Sequence, residues 1–189
     1  LVMNKLEAPS PLGYSCAGEV IAVGKDVNDI KIGDRVACGG GGAYHSDVVA
    51  VNRKLCVKVP ESVDLQHAAF TTIAAIAIQG IRQADLRFGE NCTVVGLGLI
   101  GLLTIQILKA AGIKAIGVDI DSVQVDKARQ IGADLALLRA QEGIVHTITD
   151  CTDGHGTDAV IITAGTSSLD PVEFAGEICR KKGKVVIVG

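Results

Sequence analysis

At 189 residues the chain has room for one large domain or one and a half. It is 48% hydrophobic and only 3% aromatic, so its core must be built from Val, Ile, Leu and Ala, which suits a parallel sheet buried on both faces. A net charge of −3 with no basic run argues against a nucleic-acid partner. The longest apolar stretches, around 93–108 and 68–81, are broken by Thr, Gln and Gly before the roughly 18 residues of a membrane span.

Residues 1–12 carry little signal, with Pro9 and Pro11 enclosing a loop. Leu1 in place of an initiator Met points to processing or to a piece of a longer polypeptide, and no signal peptide is visible there. From Gly13 to about Val59 the pattern is β. Strand-like runs cover 17–24, 32–38, 43–51 and 56–59, separated by a polar turn at 25–31 and the glycine run Gly39 to Gly42. Short strands at this spacing predict part of a small antiparallel barrel or sandwich. Residues 61–89 read as one buried helix, apolar all round from Ala68 to Ile81, with Ser62 able to cap it.

From residue 92 onward strands alternate with helices. Strands are expected at 93–97, 115–120, 135–138, 158–163 and 184–188, with helices at 100–111, 122–131, 141–150 and 171–181 between them. Five strands in βαβ order make an α/β fold, a Rossmann-type doubly wound parallel sheet.

The run Thr93 to Gly101 organises this half. Gly96, Gly98 and Gly101 have the G-x-G-x-x-G spacing between a strand and a helix. The first glycine permits the sharp turn, the second lets a pyrophosphate approach the backbone, and the third lets the helix pack against the strand. Leu99 and Ile100 open the helix, whose unpaired N–H groups and dipole favour phosphate. Asp119 ends the next strand, eighteen residues beyond Gly101. An acid there accepts the adenosine ribose hydroxyls of NAD and repels the 2′-phosphate of NADP.

The ordered motifs Gly18-Glu19-Val20, Val23-Gly24, Gly33-Asp34-Arg35-Val36, Ala43-Tyr44 and Val57-Lys58-Val59-Pro60, followed by the glycine loop and Val118-Asp119, resemble the medium-chain dehydrogenase/reductase superfamily. The resemblance covers nearly everything from Gly13 to Gly189. It implies a partial GroES-like catalytic domain over 1–62 and a Rossmann cofactor domain over 63–189. It also implies that further GroES strands precede Leu1 and that the last Rossmann strand follows Gly189.

Zinc members of that superfamily carry Gly-His-Glu where this chain has Gly13-Tyr14-Ser15, and a further ligand position falls near Thr71-Thr72. Tyr and Ser are poor ligands for a four-coordinate zinc. Cys16 and Cys38 could be invoked as ligands, but two isolated cysteines in a β domain are more often buried hydrophobes. Zinc is therefore not expected, and no metal ligands are assigned. By family position Tyr14, Thr71 and Tyr44 are candidates to face substrate, with Tyr14 and Thr71 singled out as catalytic. The alternative for Tyr14 and Tyr44 is domain packing. His45 is either a proton relay or a solvent-facing strand histidine. Ligands bind at the carboxyl ends of such strands, and the resemblance implies that the loop Thr163-Ala164-Gly165-Thr166 and the strand end Val188-Gly189 touch the nicotinamide side, which makes Ala164, Gly165 and Gly189 expected cofactor residues.

The six cysteines are scattered with no C-x-x-C pair, so free thiols in a reducing cytoplasm are expected. The leading expectation is a zinc-independent, NAD-dependent oxidoreductase of a small alcohol or carbonyl substrate. The alternatives are a zinc-type alcohol or polyol dehydrogenase and a non-catalytic nucleotide-binding module of a larger protein. The resemblance also raises a homodimer; no nucleic-acid or membrane partner is expected.

Overall fold

The computed structural model describes residues 12–188. The chain divides between Ile73 and Ala74 into two compact units.

The first unit holds a three-stranded antiparallel sheet in the order β1 (Ser15–Glu19), β2 (Arg35–Gly39), β3 (Cys56–Lys58). The central strand β2 buries Val36, Ala37 and Cys38. Ahead of it, Arg35 is anchored where its guanidinium donates to the Glu61 and Val63 carbonyls at 2.9 and 2.7 Å. Short helix α1 (Leu65–Ala68) is capped by Asp64, whose carboxylate accepts the Gln66 N–H at 2.6 Å. Helix α2 (Thr71–Ala84) follows, and from Ala74 onward it belongs to the second unit.

Several expected elements differ here. The strand expected over 17–24 starts at Ser15 and ends at Glu19; Val20 still donates to the Asp34 carbonyl, and the chain then leaves the sheet. The strand expected from Ile32 begins at Arg35, because residues 31–34 close a turn in which Lys31 N–H bonds the Asp34 carboxylate. Residues 43–51 form turns and bends rather than a strand. The glycine run turns Ala43 back onto Gly40, and Ser46 and Asp47 favour turn geometry over a ladder. The single helix expected over 61–89 is two, capped by Asp64 rather than Ser62. Nor is α2 buried all round. Only Ala77, Gly80 and Ala84 are buried, a stripe of small residues, while Ile78 is exposed. A Cβ at Gly80 would press on Val188 and Ile161, so the stripe is small because the sheet lies against it.

In the second unit the elements are β4 (Asn91–Val95), α3 (Leu99–Ala110), β5 (Lys114–Asp119), α4 (Ser122–Gln130), β6 (Leu135–Leu138), α5 (Ile144–Cys151), β7 (Thr157–Ile162), α6 (Asp170–Ile178) and β8 (Cys179–Ile187). All five strands are parallel, in the order β6-β5-β4-β7-β8. The parallel Rossmann sheet read from the sequence is thus present, each element within a few residues of its expected span. The largest offset is at the end: α6 stops at Ile178, and β8 already begins at Cys179 with an irregularity in its pairing to β7.

Alternate residues of each strand serve opposite faces. Cys92, Val94, Ala159 and Ile161 pack with Ile105 and Leu108 of α3 and with Val125 and Ala128 of α4. Val95, Ile116, Val118, Val160 and Ile162 pack with Ile148 of α5 and with Phe174 and Ile178 of α6. Both faces are covered, as the aliphatic composition requires. At the amino ends of the strands, Asp158 accepts the Asn91 backbone and side-chain N–H groups at 2.8 Å each and the Arg180 Nε–H at 2.5 Å. That polar cluster closes one edge. The opposite, carboxyl edge carries the glycine loop, at the point where the order turns from β5 on one side of β4 to β7 on the other.

Candidate functional site

The chain leaves β4 at Gly96, whose φ of +96° an L side chain would resist. Its N–H donates to the Val118 carbonyl at 2.8 Å, and a Cβ there would lie 2.6 Å from the Ala164 nitrogen. Gly101 lies inside the first turn of α3, where a Cβ would run into the Gly96 carbonyl oxygen. These two glycines are required by packing within the protein.

Gly98 is different. Its φ is −68°, and a Cβ built on it meets nothing within 4 Å. It is the N-cap of α3, yet no side chain caps the helix. The first turn thus has no capping side chain, and the cap residue leaves open space where a Cβ would stand. A phosphate oxygen fits that cradle on steric and electrostatic grounds.

Asp119 ends β5 beside the loop. Its Oδ2 accepts the Leu97 N–H at 2.5 Å and its Oδ1 accepts the Asp121 N–H at 2.8 Å. Each carboxylate oxygen keeps a lone pair, so two ribose hydroxyls can still be accepted. Asp121 in turn caps α4 by accepting the Val123 N–H at 2.9 Å. From the β7 side, the Thr163 hydroxyl donates to the Gly96 carbonyl at 2.6 Å. Ala164 packs behind the loop, and Gly165 beyond it is exposed with open space at its Cα. Leu99 is half exposed at the helix start and Ile100 is half-buried. The structure thus brings Gly96, Gly98, Leu99, Ile100, Gly101, Asp119, Ala164 and Gly165 to one carboxyl edge, whereas Gly189 lies outside the described residues.

Two contacts were not anticipated. Thr163 acts on the loop through its hydroxyl, and Asp119 tethers the loop through the Leu97 N–H as well as facing outward. Both are tertiary contacts between strand ends. The only hint in sequence is that polar residues end otherwise apolar strands.

The first unit holds the other candidates. Tyr14 precedes β1 and is 47% exposed. Thr71 opens α2, its hydroxyl donating to the Ala68 carbonyl at 2.6 Å. Thr72 donates to the Cys38 carbonyl at 3.3 Å, and the Ser15 hydroxyl to the Ala69 carbonyl at 2.5 Å. His45 is exposed, and its ring lies over Gly13, where a Cβ would meet it. Among the described residues no three His, Cys, Asp or Glu side chains are grouped to hold a metal ion. The Ser15, Thr71 and Thr72 hydroxyls thus serve backbone carbonyls, whereas the Tyr14 phenol is half exposed.

Two family models match in sequence order: an alcohol dehydrogenase GroES-like domain over residues 2–61 and a zinc-binding dehydrogenase over 100–189. The chain belongs to the medium-chain dehydrogenase/reductase superfamily. Within this superfamily, the (R,R)-butanediol dehydrogenase of Bacillus subtilis is 30% identical over 201 residues, covering 90% of this chain and 58% of that protein. The structure of the B. subtilis enzyme superposes with a TM-score of 0.82 at 28% identity over 96% of this chain. The D-guloside 3-dehydrogenase of Shigella flexneri is 36% identical over 174 residues, 88% of this chain and 49% of that one. A zinc-binding dehydrogenase structure from Sinorhizobium meliloti bound to NADP matches with a TM-score of 0.82 at 25% identity, over 96% of this chain and 61% of that one. The chain thus spans about half to three-fifths of the length of these superfamily relatives. No helix among its described residues is long and apolar enough to cross a membrane.

Proposed function

We propose that the chain is the cofactor-binding part of an NAD-dependent oxidoreductase acting on a small alcohol or carbonyl substrate without zinc. The observation that carries this reading is the carboxyl-edge geometry: an uncapped α3 start over the open Gly98 backbone, with Asp119 beside it. A bound nicotinamide would supply or accept the hydride. The α3 N–H groups would hold the pyrophosphate, and Asp119 would accept the ribose hydroxyls while repelling a 2′-phosphate. That carboxylate is the reason to read NAD here, although the S. meliloti relative was solved with NADP.

On the substrate side, Tyr14 is the better proton donor of the two catalytic candidates. The Thr71 hydroxyl already gives its hydrogen to Ala68, whereas the Tyr14 phenol is half exposed. Relatives named butanediol and D-guloside dehydrogenases support a hydroxylated substrate. The same reading includes a homodimer. A cytoplasmic location belongs to this proposal too.

The second reading, a zinc-type polyol dehydrogenase, is favoured by the zinc-binding description of the matching family model. Hydride transfer by the full-length protein, followed by nicotinamide absorbance over small alcohols, sugars and enones, separates the two. Turnover that survives dialysis against a chelator supports the zinc-free reading. Turnover that disappears with chelation and returns with stoichiometric zinc supports the second. Cofactor binding with no turnover on any substrate would leave only a non-catalytic nucleotide module.

A further inference from the structure

Three cysteines far apart in sequence stand in one row across the first unit's sheet. Register pairs Cys16 with Cys38 and Cys38 with Cys56. Directly paired residues project from the same face, and all three line one cleft of about 910 Å³.

The two pairs are not equivalent. Val59 N–H donates to the Arg35 carbonyl at 2.8 Å, which marks Arg35 and Val59 as a hydrogen-bonded pair. Alternation along the ladder then makes Cys38 and Cys56 a non-hydrogen-bonded pair. Between β1 and β2, the Val20-to-Asp34 and Gly40-to-Tyr14 bonds at 2.9 and 3.0 Å fix Cys16 and Cys38 as a hydrogen-bonded pair. Side chains come closest at non-hydrogen-bonded positions, where Cα atoms are about 4.5 Å apart. That lies within the roughly 4.4–6.8 Å a disulfide spans. The Cys38 and Cys56 sulfurs are already 3.5 Å apart.

We propose that Cys38 and Cys56 form a dithiol modification site that a peroxide closes into a cross-strand disulfide. Cys56 is the attacking thiol. It is the less buried of the two, and the Arg53 guanidinium sits against its backbone, donating to the Cys56 carbonyl at 2.8 Å. Its sulfur, having released its proton, attacks a peroxide oxygen. The S–O bond forms, the O–O bond breaks, and the leaving oxygen departs as water. The Cys38 sulfur then attacks the Cys56 sulfur, the S–S bond forms, and the S–O bond breaks with loss of a second water. Two thiols lose two electrons and two protons, and the peroxide is reduced to two waters.

Cys38 is suited to the resolving role. Burial first, then its hydrogen bond with Cys56, pushes its thiol up to about 12, which keeps it from reacting with peroxide first, and its sulfur is already 3.5 Å from that of Cys56. Its backbone carbonyl also takes the Thr72 hydroxyl, so the bond would form next to the start of α2. The competing account is that the row only fills the small cluster around Ile30, Val36 and Ala43.

The test is a peroxide titration of the full chain followed by alkylation under denaturing conditions and a non-reducing peptide map. The proposal predicts that the free-thiol count falls from six to four, with one peptide pair joined through Cys38 and Cys56 and released by dithiothreitol. Cys16→Ser should keep that bond and Cys56→Ser should lose it. The wild-type map stands alone if a variant fails to fold. Six thiols still reduced, a Cys16–Cys38 bond, a bond among Cys92, Cys151 and Cys179, or oxidation running on to sulfinic acid would each overturn it.

Discussion

The three glycines of the loop look interchangeable as letters, but their surroundings separate fold from function. Gly101 has the Gly96 carbonyl where its Cβ would go. Backbone cannot give way as a side-chain tip can, so Gly101→Ala should cost about 3 kcal/mol. Gly98 has an ordinary φ and empty space. Gly98→Ala should cost less than about 1 kcal/mol and still weaken dinucleotide binding, because its methyl group would occupy the phosphate cradle. Melting curves and NADH titrations on the two variants check this. A Gly98→Ala protein that binds NADH like the wild type would place the phosphates elsewhere. Spacing alone made the glycines and Asp119 legible in the sequence. It could not show that Asp119 also holds the Leu97 N–H, or that Thr163 holds the Gly96 carbonyl, because both contacts join strand ends far apart in the chain.

Among the elements, the parallel strands were legible because burial on both faces makes them continuous aliphatic runs. The first unit was harder to read. Its strands are three to five residues long and its loops are also apolar, so the run 43–51 looked like a strand although its chain turns back on itself. The cysteine row was invisible for a related reason, since antiparallel register is not written in local spacing.

One tie between elements gives a pH-dependent prediction. Asp134 accepts the Lys109 Nζ of α3 at 2.5 Å and the Ala115 N–H of β5 at 2.7 Å. Partial burial by itself would raise its pKa, but the Lys109 ammonium and the Ala115 N–H outweigh that and hold it below the usual carboxylate value. The folded chain therefore binds this proton more weakly than the unfolded chain. The stabilisation is fully present above the unfolded pKa near about 4 and is lost as pH falls through the lower folded value. Asp134→Ala should lower stability by about 1 kcal/mol at neutral pH. The gap between wild-type and variant melting temperatures should narrow below about pH 4. A gap that stays constant into acid would show that the carboxylate charge contributes nothing.

At the scale of the whole molecule, two units and two family matches agree on the architecture, and the activity proposal rests on the second unit's carboxyl edge. The class was legible in sequence because the motifs come in a fixed order over nearly the entire chain. The substrate was not, because the residues proposed to meet it, Tyr14 and Thr71, are single hydroxyls with no spacing pattern of their own. The most direct measurement is therefore on the cofactor: fluorescence titration of the chain with NADH and with NADPH, for wild type and for Asp119→Asn. The substitution keeps an acceptor for the Leu97 N–H while giving up the one for the Asp121 N–H and the charge. Our account predicts that wild type prefers NADH by at least about tenfold, roughly 1.4 kcal/mol, and that the preference collapses in the variant as NADPH gains. Equal binding of the two by wild type, or a preference that survives in Asp119→Asn, would contradict it.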